Sequence, residues 1–245
     1  MNADKVKEYY LSEKVVDHYS RAVSSVGLWV SEEKIFQRVF ADPKGSLLEI
    51  GCGCGRIAIG MSQLGYTNLL GVDFSRNMIE SARKMSRMLE LSISFQVADA
   101  TQLPFADNLF DGAIFGFNGL MQIPGRDRRC DAMGEAFRVI RPGSYFVFTS
   151  HEREMSKWKK FWKQESARWR KGKQGSNLAE YGDRYEPTKL GDLFIHVPAK
   201  NDLVEDLKSV GFELEADVLR SQVAPEPEPV REFSDECRFW VARKP

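Results

Sequence analysis

Residues Leu47 to Met61 read LLEIGCGCGRIAIGM. An apolar run carrying one acid, Glu49, breaks into alternating glycines at Gly51, Gly53 and Gly55, and an apolar pattern at helical spacing follows. Few chain arrangements suit that order. A strand has to end in a turn whose backbone is bare of side chains, and a helix has to begin at once. Such a turn can hold a ligand against main-chain N–H groups, or it can be a tight connection with no ligand. A glycine loop alone does not choose between the two.

The rest of the chain supplies context. Val15, Val16, Tyr19, Ala22, Val23 and Val26 recur at three and four residues, which predicts a helix that Gly27 stops. Ser31 is the expected cap of a second helix, with Glu32 and Glu33 at its positive end and Ile35, Phe36, Val39 and Phe40 as its buried stripe. From Ser46 onward, strands and helices alternate. Ser46 to Ile50, Asn68 to Val72, Ile93 to Val97, Gly112 to Phe117 and Tyr145 to Ser150 read as strands. The helices between them are marked by Ile57, Met61 and Leu64, by Met78 to Leu89 behind Ser75, and by Met133 to Ile140. Apolar strands separated by helices predict a parallel sheet covered on both faces, in a Rossmann-like doubly wound α/β fold. A later helix, Asp202 to Val210, precedes two alternating strands around Phe212–Val218 and Cys237–Val241. No helix is expected between those strands, so they should pair antiparallel, and "APEPEP" at Ala224 to Pro229 reads as a stiff extended connector.

Acids sit where such a sheet binds ligands. Asp73 closes the second strand, Asp99 closes the third, and Glu49 lies near the end of the first. Together they face the crevice at the carboxyl edge. For Asp73 alone, a helix N-cap is an equally simple reading.

With those residues in place, the chain resembles the class I S-adenosylmethionine-dependent methyltransferases, in the broad group acting on small molecules. The matching stretches are LLEIGCGCGR, LLGVDFSRNMIESAR, FQVADATQLPFADNLFDGAIF and EAFRVIRPGSYFVF, in that order over residues 46–150. The resemblance implies a seven-stranded sheet of order 3-2-1-4-5-7-6 with strand 7 antiparallel. It implies S-adenosylmethionine as cofactor and S-adenosylhomocysteine as product. Gly51, Cys52 and Gly53 would pass under the methionine part, and Glu49 would sit near its amino group. Asp73 would take the ribose hydroxyls and Phe74 would pack on adenine. Asp99 would accept from the adenine amino group, with the Ala100 amide at a ring nitrogen. Phe115 and Gly116 would line the methyl-donor side. Ser144 departs from the family's usual second glycine after RPG, at a turn remote from the cofactor. The rival is a dinucleotide oxidoreductase, whose fingerprint needs a third glycine where this chain has Arg56. Glu49 would also repel a pyrophosphate.

Four chain regions follow from this reading. Residues 1–42 form a helical N-terminal cap, 46–150 the cofactor-binding core, 151–198 an inserted lid, and 199–245 the last helix and strand pair, all within one methyltransferase domain. Arg153 to Lys173 holds nine basic and two acidic residues, interleaved with Trp158, Phe161, Trp162 and Trp169. Basic residues among aromatics can bind nucleic acid. The aromatic spacing, with Met155, also makes one helix face that would close over the crevice and leave the lysines in water. The chain has 35 basic and 35 acidic residues, so a nucleic-acid partner is disfavoured and the lid is preferred.

Methyl transfer needs alignment and dryness more than a dedicated catalyst, and it needs a base only if the nucleophile keeps a proton. His151, after the fifth strand, is the candidate base. Asn118, Gln122 and His196 are candidate substrate contacts. Cys52 and Cys54 do not make a metal site, because no neighbouring Cys or His completes a tetrahedral set. The four cysteines show no disulfide spacing. MNADKVKEYY has no apolar core and no stretch is long enough to span a bilayer, so a cytoplasmic protein without a membrane partner is expected. The expected partner is a small-molecule acceptor methylated on O, N or C, and nothing in the sequence sets an oligomeric state. Two other readings stand beside this one: methylation of RNA or another macromolecule through segment 153–173, and cofactor binding without transfer.

Overall fold

The computed structural model describes residues 3–154 and 157–245. Met155, one of the residues expected on the lid face, lies outside them. Three helices come first: α1 (Ala3–Leu11), α2 (Glu13–Ser25) and α3 (Val30–Val39). The core then runs β1 (Leu47–Ile50), α4 (Arg56–Gln63), β2 (Leu69–Asp73), α5 (Arg76–Met88), β3 (Ser94–Val97), β4 (Phe110–Phe115), α6 (Arg126–Val139) and β5 (Ile140–Ser150). The inserted segment holds α7 (Lys159–Arg170) and a hairpin of β6 (Asp183–Thr188) and β7 (Gly191–His196). The chain continues through α8 (Lys200–Val210), β8 (Glu213–Leu219), the short helices α9 (Arg220–Val223) and α10 (Glu228–Phe233), and β9 (Arg238–Arg243).

The main sheet has seven strands in the order β3-β2-β1-β4-β5-β9-β8. Counted within that sheet alone, the order is 3-2-1-4-5-7-6, as expected. Strands β1 to β5 pair in parallel, and β9 runs antiparallel to both β5 and β8. All four residues of β1 are buried, since helices cover both faces of the central strands. One layer packs Leu48, Ile50, Phe146 and Phe148 against α6 and α8. The other packs Leu47, Ile114 and Val147 against α3 and α4 through Phe36, Ile57 and Met61.

Several local expectations change. The N-cap of α3 is Trp29, not Ser31. The Glu32 carboxylate accepts from the Trp29 N–H at 2.9 Å, and Glu226 accepts from the N–H groups of Val30 and Ser31 at 3.1 and 2.9 Å. Carboxylates thus hold the positive end of the helix. Glu226 belongs to the stretch read as a plain connector. That stretch also starts α10, with Pro227 as its cap and Pro229 in its first turn, because proline has no N–H to lose there. Ser75 caps α5 by accepting from the Met78 N–H at 3.4 Å, so Asp73 is not the cap. Strand β5 begins earlier than expected and takes in the RPGS turn, with a register shift against β4. Helix α1 has no counterpart in the sequence reading.

Candidate active site

A crevice opens at the carboxyl ends of β1, β2, β3 and β4. Its floor is built by local sequence. Gly51 has φ +63°, and a Cβ there would lie 2.5 Å from the Phe115 ring. No other residue fits that turn. Gly53 has φ +52°, and a Cβ there would meet nothing within 4 Å, because it would project into the crevice. The same loop is tied to β2: the Asp73 carboxylate accepts from the Gly53 N–H at 2.9 Å and from the Ser75 N–H at 2.8 Å. Glu49 accepts from the Ala58 N–H at 2.8 Å, which clamps the start of α4 to the end of β1.

These acids are out of water. Burial pushes Glu49 up to about 8, although the Ala58 N–H and the Arg56 charge pull the other way. Burial likewise pushes Asp73 up to about 6, against the N–H groups of Ser75 and Gly53. Asp99 goes down instead. Burial alone would raise it, but the Thr101 N–H and hydroxyl, with Lys7 and Arg128 beyond, outweigh that. Lys7 and Arg128 lie 3.6 and 3.7 Å from the Asp99 carboxylate.

The crevice brings together Glu49, Gly51, Cys52, Gly53, Asp73, Phe74, Asp99, Ala100, Phe115, Gly116 and Gln122. It does not include the other three expected residues. Asn118 is buried behind the wall at φ +57°, and its N–H donates to the Thr149 hydroxyl at 2.7 Å. His151 is enclosed too. Its Nε2 lies 3.2 Å from the Asn118 side-chain nitrogen and its Nδ1 lies 2.9 Å from the Glu236 carbonyl oxygen. Nδ1 therefore carries the proton, Nε2 accepts, and neither nitrogen is left for an acceptor molecule. Burial lowers the pKa of His151, which keeps it neutral. The candidate base is thus a support for Asn118. His196 lies in a separate cavity with Arg129 and Glu180, its Nδ1 2.8 Å from Asp183.

The roof differs from the expected lid. Among the described residues, none of 151–198 lines the crevice. The aromatic face of α7 packs instead on the sheet layer that contains Ile195, Val197 and Leu203: Trp162 is buried there, with Trp158 and Phe161 half-buried beside it. Spacing identified which residues share a face but not what the face meets. The roof comes from α1 through Val6, Lys7 and Tyr10, from α2 through Tyr19 and Ala22, and from α10 through Phe233. Hairpin β6–β7 backs α1 from outside, where Phe194 and Tyr185 join Val6 and Tyr10 in one cluster.

An aromatic wall closes one end. The rings of Phe117 and Phe233 stack with centroids 5.0 Å apart, Tyr19 meets each edge-on, and Trp29 stands behind Phe117. Phe117 and Asn118 are both left-handed, at φ +50° and +57°, a strained pair that turns the Phe117 ring into the crevice. Arg56, the residue that replaces a dinucleotide-binding glycine, holds this corner. Its guanidinium forks onto Glu32 at 2.6 and 2.7 Å and donates to the Gly27 carbonyl at 2.8 Å. It lies 5.0 Å from the Trp29 ring centroid and 5.8 Å from that of Phe117. Burial would lower the Arg56 pKa, but the Glu32 carboxylate more than offsets this and raises it, so the guanidinium stays charged.

Comparison with known proteins points to the same fold. The family profile described as "Methyltransferase domain" matches residues 47–143. The methyltransferase GfsG of Streptomyces halstedii is 35% identical over 113 residues, 45% of this chain and 39% of that protein. The ubiquinone/menaquinone biosynthesis C-methyltransferase UbiE of Desulfotalea psychrophila is 38% identical over 104 residues, 42% and 40% of the two chains. The chain thus spans about two fifths of the length of these relatives. Among solved structures, a S-adenosylmethionine-dependent methyltransferase of Methanosarcina mazei superposes with a TM-score of 0.68 at 20% identity, covering 86% of this chain and 96% of that one. Residues 47–143 thus resemble the methyltransferase-domain family, and the fold resembles that of the class I S-adenosylmethionine-dependent methyltransferases. The cofactor of that family is S-adenosylmethionine.

Proposed function

We propose that this crevice binds S-adenosylmethionine and directs its methyl group to an O, N or C atom of a small acceptor. The observation that carries the reading is the set of three acids around the bare Gly53 backbone. Asp73 has two oxygens, each already accepting one backbone N–H and each with a lone pair left for a ribose hydroxyl. Asp99, whose second oxygen accepts no hydrogen bond and has only Lys7 and Arg128 nearby, takes the adenine amino group, and the Ala100 amide takes a ring nitrogen. Phe74 packs on the base. Glu49 faces the cationic amino group above Gly51, Cys52 and Gly53, while Phe115 and Gly116 flank the donor side. No phosphate-binding group is needed, which suits an acid in that place. The buried Tyr10 hydroxyl, beside that of Tyr19, supplies one more polar contact from the roof.

When bound, the cofactor supplies an electrophilic methyl carbon on a sulfonium. The chain's own work is then orientation and exclusion of water. Phe117, Phe233, Tyr19, Ile123 and Pro124 form a largely apolar end for the acceptor, with Gln122 as its hydrogen-bonding side chain. An in-line approach held in such a slot gains most from lost translational freedom. None of these end-wall residues is a base at neutral pH: burial holds the Tyr19 hydroxyl well above its ordinary value. The acceptor is therefore one that needs no enzymic base or has already lost its proton.

Calorimetric titration with S-adenosylmethionine, S-adenosylhomocysteine and NADH tests the cofactor assignment. We expect the first two to bind, and Asp73→Ala to weaken both by about 100-fold through loss of two charge-assisted hydrogen bonds. Binding of NADH alone, or of none of the three, overturns it. A methyl-transfer screen of phenols, amines and acidic carbon compounds against an RNA pool tests the acceptor class.

A further inference from the structure

Helix α7 presents two opposite chemistries. Inward, its rings are spent on the protein. Trp162 is 5% exposed, the Trp158 ring nitrogen donates to Asp235 at 3.1 Å, and Trp169 stands edge-on to Tyr181. Outward, Lys159, Lys160, Lys163, Arg170, Lys171 and Lys173 are all exposed, and none makes an ion pair among the described residues. The single acid of this stretch, Glu165, is buried and paired with Arg168.

The asymmetry extends to the whole chain. Residues 157–175 hold eight of its 35 basic residues and one of its 35 acidic ones, so the remainder carries a surplus of seven acids. The molecule is electrically polar, positive at α7 and negative elsewhere. A molecule of this kind is turned by any extended negative plane so that α7 faces it. The helix also follows the carboxyl end of β5, at the sheet edge where the crevice opens.

We propose that the outer face of α7 docks on an anionic phospholipid surface. The contact is purely electrostatic. The apolar side of the helix is already buried in the protein and cannot enter the acyl region, and no helix among the described residues is long and apolar enough to cross a membrane. Lysines dominate the face, and strongly hydrated point charges suit a diffuse headgroup layer better than the fixed fork of arginine does. Single-stranded nucleic acid fits less well. It is held by stacking rings beside a basic groove, and here the rings point away from an exposed helix side. The docking surface is independent of what the crevice binds.

Sedimentation with lipid vesicles tests this on the full chain. Vesicles of phosphatidylcholine with about 30% phosphatidylglycerol are compared with pure phosphatidylcholine, at about 0.05 and 0.5 M salt. We expect binding to the anionic vesicles only and its loss at high salt. The variant Lys159→Glu/Lys160→Glu/Lys163→Glu should lose at least about tenfold in partitioning, with an unchanged melting temperature showing that the fold is intact. Failure to bind anionic vesicles, equal binding to neutral ones, or an unaffected variant overturns the proposal. So does a single-stranded RNA that binds wild type, loses binding in the variant, and displaces the protein from vesicles at stoichiometric amounts, which would make the face a nucleic-acid surface.

Discussion

The floor and the roof of the crevice are built by different means. The floor is a chain-local object: β1, the glycine turn and α4 are consecutive, and Asp73 lies at the end of the neighbouring strand. Its side chains are fixed by backbone hydrogen bonds at 2.8 to 2.9 Å. The roof is assembled from α1, α2, Phe117 and α10, segments far apart in the chain, and is held by ring packing. Polar geometry fixes where a cofactor can lie, while apolar packing fixes what shape can lie beside it. Arg56 is where the two meet, since it belongs to α4 and grips Glu32, Gly27 and the ring of Phe117.

Breaking that joint should have the largest effect. Arg56→Met strands the Glu32 carboxylate in the interior, and we expect a loss of about 3 to 5 kcal/mol in denaturant unfolding. Adding Glu32→Gln should recover a large part of it. A cost below about 1 kcal/mol for the single variant would mean that floor and roof are not coupled here.

The floor itself is sharpened by comparing two glycines. Gly51→Ala combines a left-handed backbone with a Cβ 2.5 Å from the Phe115 ring, and should cost about 2 to 3 kcal/mol. Gly53→Ala should cost only about 1 kcal/mol in stability, yet weaken cofactor binding, because its new methyl points into open crevice. Equal stabilities for the two variants would contradict the geometry.

A smaller effect follows from the buried acids. Glu49 is at about 8 and Asp73 at about 6 in the folded chain, both above their ordinary values. The folded state therefore holds protons that the unfolded chain has released. Stability from these groups is greatest below the ordinary carboxylate values of 3.8 and 4.5, falls as pH rises from there through about 6 and about 8, and levels off above 8. On the proposed placement of the cofactor, its affinity should run the other way, because a cationic amino group would favour ionised Glu49. It should tighten between pH 6 and 8 by up to about tenfold per unit. Calorimetry in buffers of different ionisation enthalpy should show proton release on binding, and Glu49→Gln should abolish it.

The smallest effect is expected at His151. With both ring nitrogens satisfied by Asn118 and the Glu236 carbonyl, His151→Gln should change turnover by less than about threefold, far short of the 100-fold or more that loss of a general base brings. The pH–rate profile should keep its shape. A loss of several orders of magnitude, or a missing ionisation in that profile, would return His151 to the chemistry.

How legible each part was follows the same division. The strand order, the glycine turn and the crevice acids could be read from residues 46–150, where contacts are between neighbours in sequence or in the sheet. Helix α1 was hidden because Val6 and Tyr10 make only a short apolar stripe, although their four-residue spacing is the signal. Phe233 was hidden by the prolines around it: Pro227 and Pro229 look like a connector, yet they occupy the positions at which a helix tolerates proline. The aromatic face of α7 is legible in its spacing but the surface it covers is not, since periodicity carries no information about the partner of a face. The residue types of His151 and His196 suggest chemistry, and only three-dimensional placement shows what their nitrogens already hold.

The wall around Phe117 also has a meaning in time. A growing chain emerges from the ribosome with the glycine turn early, at residue 53, and with Phe233 and β9 among the later residues. Strand β9 sits between β5 and β8, so the sheet has a gap until it arrives, and the aromatic wall lacks a ring until α10 folds. The residues of the polar floor are therefore made well before those that close the slot, and the seven-stranded sheet is complete only once residue 243 has been added.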